Sequence, residues 1–258
     1  MKLYLHYVMI NLRSMMQYKM SFFLTTLGQL LVSFSAFLGT YFLFARFHEI
    51  QGFSFSEVLL CFSIVLMQFS LAEMVMRGLD SFSSIVRNGT FDRILIRPRS
   101  TMLQVLGEKF ELTRIGRLIQ AIVIFVYAVR TAGVIWTPAR LLTLLLMLIC
   151  GIGLFTDLFM IHAALCFWTL EGLEFMNVLT DGAREFGMYP LSVYGERMMF
   201  VTTYMVPYAL IQYYPLLFLL GRADGAFYCL SPLLSLLFFI PAYALWRLGI
   251  RHYQSSGS

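Results

Sequence analysis

The sequence predicts an all-α polytopic membrane protein. It should have six transmembrane helices, an amphipathic interfacial helix at its N-terminus and a helical cytoplasmic excursion after span two. Three observations lead there. Of its 258 residues, 59% are hydrophobic and only 13% charged, whereas a soluble domain carries about a quarter charged residues. A soluble body of this size could not hydrate so much apolar surface, so lipid must be part of its solvent. Six apolar stretches, 20–44, 57–76, 115–136, 141–168, 198–220 and 228–246, reach the ~20 residues that a helix needs to cross the hydrocarbon core. Their continuous apolar character, with Gly and Pro tolerated inside, suits helices rather than barrel strands. Finally, basic residues are distributed unevenly. With both termini on the cytoplasmic side, segments 1–19, 77–114, 169–197 and 247–258 with the adjoining span ends hold all of the 19 Lys and Arg except Arg46, Arg130, Arg140 and Arg222. The positive-inside rule selects that orientation.

Taken in order, residues 1–19 come first. Lys2, His6, Arg13 and Gln17 fall within about 60° on a wheel of 3.6 residues per turn, and much of the remaining circumference is Leu, Tyr, Val, Met and Ile. This is the pattern of a helix lying in the inner interface with a basic stripe toward headgroups. His6, Asn11, Arg13 and Lys19 interrupt any signal-peptide apolar core, and no small-residue cleavage pattern follows.

Segment 77–114 is the longest predicted cytoplasmic stretch. Asp80 to Val86 has the length of two helical turns, and Asn88-Gly89 supplies a helix stop. Arg97-Pro98 breaks the chain again before helical spacing resumes from Thr101 to Arg117. Phe82, Ile85, Val86, Phe91, Ile94, Leu95 and Ile96 all need burial, so the segment is ordered. Segment 169–197 carries Glu171, Glu174, Asp181, Glu185 and Glu196 between Gly172, Gly182, Gly187, Pro190 and Gly195. It reads as an acidic cytoplasmic loop. No internal repeat divides the chain, so residues 1–254 form one domain and the tail 255–258 reads as a tag remnant.

The motifs exclude several classes of chemistry. There is no GxxxxGK[ST], and none of the three lysines, Lys2, Lys19 and Lys109, adjoins a Gly-rich turn. ATP binding by a P-loop is therefore not expected. Cys61, Cys150, Cys166 and Cys229 lie in or beside apolar stretches without CxxC spacing and read as small buried hydrophobes, not as disulfides or metal ligands. No basic run exceeds two residues, which disfavours a nucleic-acid face despite the net charge of +5. Asn177 with Asp181 is half of an acidic diphosphate site and reads as loop polarity. Asn88-Gly89-Thr90 is a formal glycosylation sequon on the wrong side of the membrane. Ionisable groups within spans are costly, so Glu73, Asp157 and His162 are pathway candidates. Glu73 also has Arg77 one turn away, and His162 is not quite on the face of Asp157.

The run Ser84-Ile85-Val86-Arg87-Asn88-Gly89-Thr90-Phe91-Asp92-Arg93-Ile94-Leu95-Ile96-Arg97-Pro98 resembles the cytoplasmic loop of bacterial type-2 ATP-binding-cassette (ABC) export permeases, in the six-span branch often encoded in pairs. That pattern is a short helix, Gly-x-Phe-Asp, a basic residue, Leu and Arg-Pro. Arg114-Ile115-Gly116-Arg117, Tyr189-Pro190, Pro207 and Tyr214-Pro215 are further matches. The resemblance implies an ABC transporter permease, an exporter subunit that is not itself an enzyme and has no ATP site of its own, in the bacterial cytoplasmic membrane. A separate cytoplasmic ATPase would bind ATP and Mg, and a second permease subunit, identical or sister, would complete the assembly.

The coupling element implied by the resemblance is the loop after span two, including Gly89 at the helix stop and Asp92. Asp80, Ser83, Arg87 and Arg93 are expected as rim contacts on the ATPase, and Phe82, Ile85, Val86 and Phe91 as anchors buried in its groove. Ser35 and Gly39 would allow close helix approach between permeases. The translocation route is expected between permeases, lined by aromatic and Met side chains with few charges, for an amphipathic or lipid-like substrate. The alternative is an integral-membrane enzyme acting on lipids, whose convergent polar residues this sequence offers only in 169–197.

Overall fold

The computed structural model describes residues 2–169 and 174–254. The proposed tag remnant and residues 170–173 of the acidic segment lie outside them. Apart from a two-residue β-ribbon and a few 3-10 turns, the secondary structure is α-helical.

The N-terminal helix α1 (Lys2–Gln17) leads into α2 (Lys19–Phe47), and a ribbon of β1 (Glu49–Ile50) and β2 (Phe53–Ser54) turns the chain back. Gln51 and Gly52, both at positive φ, form the two-residue turn, with Ile50 opposite Phe53. Helix α3 (Phe55–Asp80) returns through the centre of the bundle and is buried along most of its length. Ser54 and Glu57 close a capping box at its start.

Three short helices follow: α4 (Phe82–Arg87), α5 (Thr90–Leu95) and α6 (Thr101–Glu108). The chain then runs through an extended Lys109 and a 3-10 turn into α7 (Ile115–Thr131) and back along α8 (Pro138–Thr169). The continuous helix expected from Thr101 to Arg117 is thus broken, because Glu111 leaves helical geometry and donates its N–H to the Met74 carbonyl.

Two ends are distinct. At one, the basic end, α1 rests on the loop: Asn11 Nδ2 donates to the Gly107 carbonyl at 3.3 Å and the Tyr4 hydroxyl to that of Val75 at 3.4 Å. The C-terminus joins them there, with the Tyr253 hydroxyl on Asp92 at 2.9 Å. The other, the ribbon end, carries the β-ribbon and Arg222, whose guanidinium bonds the Gly52 carbonyl and Glu57 at 2.7 Å and lies 4.4 Å over the Phe53 ring.

Close approach fixes the loop to the bundle. A Cβ on Gly78 would overlap the Val105 carbonyl oxygen, so α6 crosses α3 where α3 has no side chain. Backbone has little room to retreat, and only glycine fits.

The predicted fifth span, 198–220, is not one helix. It is divided into α10 (Glu196–Tyr204), α11 (Tyr208–Ile211) and α12 (Tyr213–Leu219). Pro207 lacks the N–H that a continuous helix needs and biases Val206 away from helical backbone. Gln212 leaves helical geometry and donates to the Tyr189 carbonyl at 2.8 Å. These helices form a hairpin that enters from the ribbon end, turns where Tyr208 meets Phe155 of α8, ring centroids 6.0 Å apart, and returns to Arg222.

The crossing is made instead by α9 (Glu174–Gly187) and the residues after it. Val193 and Tyr194 border a cavity with Phe47, Glu49 and Ile50 at the ribbon end. Between them, Gly187 contacts Val65 of α3 and its carbonyl accepts from Cys61. The described part of this segment, 174–197, is therefore not a loop at the basic end. Arg197 joins the four basic exceptions at the ribbon end, and Arg184 lies within the bundle. The basic asymmetry is weaker than the sequence suggested but keeps its sign. The last crossing, α13 (Ala226–Ser235) and α14 (Phe239–His252), brings the C-terminus back to the basic end.

Candidate functional site

The loop expected to contact a partner is fastened to its own chain. Helix α3 ends at Asp80, and Ser81 leaves helical geometry before α4 begins. The α4 face that carries Phe82, Ile85 and Val86 then turns inward. Gly89 takes the left-handed conformation (φ 63) that stops α4 and starts α5, as the Asn-Gly pair predicts. Helix α5 then buries Phe91 and Ile94.

Phe82 and Phe91 meet edge to face, with ring centroids 5.3 Å apart. Phe82 also packs on Phe167 of α8 at 5.0 Å and Trp246 of α14 at 5.1 Å, and Phe91 on Phe167 at 5.2 Å and Tyr253 at 4.9 Å. Phe82 and Phe91 are both fully buried. This corrects the expected role of Phe82, Ile85, Val86 and Phe91: a partner's groove cannot receive side chains already enclosed by their own bundle. They position the loop.

Asp92 accepts the Tyr253 hydroxyl, and burial together with that contact pushes the Tyr253 phenol up to about 12. The neutral phenol is thus favoured by folding. Its contribution is fully present below pH 10, the ordinary phenol value, and is lost as pH rises toward 12.

The residues left outward form a basic tip. Arg87, Arg93, Arg97 and Arg99 are exposed, and among them project Leu95 and Ile96, the latter 83% exposed. Ser83 is half-buried at the edge of this surface. Arg87 and Arg93 thus lie where a rim contact was expected. Leu95 and Ile96, expected from sequence to need burial, are exposed instead; Ile96 stands one residue before the helix-breaking Arg97-Pro98, where a side chain has least of its own chain to pack against.

Behind the tip lies a buried ion cluster. Glu73 of α3 is 2.9 Å from Arg114 and 3.0 Å from Arg117, with Arg77 at 3.4 Å. Arg77 in turn pairs with Asp80 and, at 2.8 Å, with Glu111, and Arg117 reaches Gln29 of α2. The sequence suggested Arg77 as the partner of Glu73, but the two shortest contacts come from the start of α7 and its preceding turn. Glu73 is consequently locked between charges and not open to a route. The cluster ties α2, α3 and α7 together at the point from which the loop departs.

Asp80 also faces His162 of α8, Oδ1 to Nδ1 at 3.9 Å, so it looks inward and is not a rim contact. His162 is buried, and neither ring nitrogen has a hydrogen-bond partner among the described residues. Asp157 is buried too and has no ion pair or hydrogen bond among the described residues. The three span candidates are therefore not brought together as one site.

A model of the family described as ABC-2 family transporter protein matches residues 30–257, which include the loop, the ion cluster and the hairpin. The chain belongs to the ABC-2 transporter family. No curated protein and no solved structure matches it. As an ABC-2 permease it is a multi-pass membrane subunit of a transporter, and the basic tip is a surface carried on its rigidly seated loop. Among the described residues, no group of three or more His, Cys, Asp or Glu is placed to hold a metal ion.

Proposed function

We propose that this permease couples ATP hydrolysis by separate cytoplasmic ATPase subunits to substrate export, and that the basic tip is the coupling contact. The carrying observation is the division of labour within one short segment. Its aromatic side chains lock it to α8 and α14, while Leu95 and Ile96 project between four arginines. An apolar tip ringed by one sign of charge suits a groove with an acidic rim. Movement of the groove would pass through the rigid seat into α3 and the ion cluster.

In this reading the basic end is cytoplasmic, in the bacterial plasma membrane. ATP and Mg are bound by the ATPase, and two permeases, identical or sister, assemble with two ATPases. Helix α2 offers a largely open face for the second permease. Ser35 and Gly39 are exposed on it, and nothing approaches a Cβ built at Gly39. No specific feature favours the lipid-enzyme alternative.

The test is co-purification of the ATPase with Arg93→Glu/Arg97→Glu. Both side chains are exposed, so folding should be unchanged while ATPase affinity falls at least tenfold, about 1.4 kcal/mol. Undiminished association would remove the tip from the interface.

A further inference from the structure

The crossing formed by α9 carries charge where hydrocarbon would not tolerate it. Glu174, Asn177, Asp181 and Glu185 fall within about 80° of one another at 3.6 residues per turn, and all four are exposed. The opposite face, including Met176, Thr180 and Ala183, is buried. The depth is fixed by Arg184, whose guanidinium lies 5.1 Å over the ring of Phe69, near the middle of α3. Arg184 pairs with both Asp181 and Glu185, yet its side chain is only 13% exposed while theirs are 58% and 52% exposed. The cation is turned inward and the carboxylates outward. A carboxylate facing lipid at this depth is costly, so the stripe requires water or a cation in front of it. Asn177 and Asp181, read from sequence as loop polarity, belong to this stripe.

Two independent features flank the stripe. On one side, α9 and the entering limb and turn of the hairpin border an apolar cavity of about 120 Å³, with Val178, Phe186, Met198, Val201 and Tyr208 in its wall. Gly182, one turn from both Val178 and Phe186, lies beneath those two side chains, which form the cavity's edge toward the carboxylates. On the other side, the Ser33 hydroxyl of α2 is buried without a hydrogen-bond partner among the described residues, and Ser33 lines a narrow cleft with Arg184 and Glu185. An unmet hydroxyl beside exposed carboxylates again requires water or a ligand.

We propose that this face binds an amphipathic organic cation during transport, with its apolar body in the cavity and its charge against Asp181 and Glu185. The inference rests on the permease reading and names its substrate class. The cavity is of the order that holds one aromatic ring, since a dry cavity of ~150 Å³ accommodates benzene. An anionic lipid-like substrate would meet repulsion here; an aromatic and Met lining with few charges, as expected for the route, describes the cavity wall with Phe186, Met198 and Tyr208 but not the carboxylate stripe beside it.

The experiment is calorimetric binding to the full chain in lipid nanodiscs, with empty nanodiscs as the baseline. The probes share one shape and differ in charge: benzyltrimethylammonium, its neutral isostere neopentylbenzene, and the anion phenylmethanesulfonate. Benzyltrimethylammonium is expected to bind at least tenfold tighter than the isostere, and the sulfonate more weakly than either. Asp181→Asn/Glu185→Gln should bring the cation to the level of the isostere, and Val201→Trp, filling the cavity, should weaken both. Equal binding of cation and isostere would overturn the proposal, as would an unchanged cation affinity in the double variant. If the stripe instead meets a second permease, the double variant would alter oligomeric state on size exclusion and spare cation binding, which also overturns it. Because the readout needs no ATPase, its failure is distinct from failure of the coupling reading, which is judged by co-purification.

Discussion

Replacing Glu73 by Gln is expected to destabilise the chain by roughly 3–5 kcal/mol, the range for breaking a buried ion pair from one side. Glu73, Arg114 and Arg117 have side chains only 7%, 8% and 5% exposed, so solvent cannot screen the guanidiniums that lose their carboxylate. Glu111 and Asp80 already serve Arg77 and offer no replacement for Arg117. Gln keeps the volume of Glu, so the loss reports charge and not packing. Thermal unfolding in detergent, followed by size exclusion, measures it. Adding Arg117→Gln should restore part of the loss, because the pair is then removed together. If Glu73→Gln unfolds at the wild-type temperature, the cluster does not tie α2, α3 and α7.

Phe82→Ala is expected to be comparably severe, about 3–5 kcal/mol for emptying a fully buried aromatic site. The cavity would open between Phe91, Phe167 and Trp246, where three elements converge on one ring. Loss of ATPase association should accompany the fall in thermal stability, because the tip would lose its fixed position. That distinguishes Phe82 from the surface arginines, whose replacement should lower association alone. Normal stability with lost association in Phe82→Ala would restore Phe82 to the partner interface and contradict the packing described above.

Much of this molecule was legible in its sequence. Spans one, two, four and six lie within α2, α3, α8 and α13–α14, because long uninterrupted apolar runs leave helix as the only economical backbone in lipid. Gly89 announced its turn through the Asn-Gly pair. The fifth crossing was not legible. Helix α9 has one polar face and is punctuated by Gly182 and Gly187, so its composition resembles a loop, while the apolar 198–220 run belongs to a hairpin broken at Pro207 and Gln212. Hydropathy measures how apolar a segment is, not which of its faces meets the bundle.

The same limit applied to the loop. Sequence showed that Phe82 and Phe91 need burial but not against what, and their partners Phe167 and Trp246 are far along the chain. Glu73 likewise found Arg117, 44 residues away, where local spacing offered only Arg77.

In the proposed coupling, the loop presents its basic tip to the ATPase and keeps its aromatic side chains within its own bundle. Photo-crosslinking tests this most directly, with benzoylphenylalanine placed at Ile96 in one variant and at Phe91 in another, in cells that make both permease and ATPase. A permease–ATPase adduct is expected from position 96 and none from position 91, where crosslinks should stay within the permease. An adduct from position 91 with none from 96 would show that the aromatic face, not the basic tip, meets the ATPase, and would contradict the account.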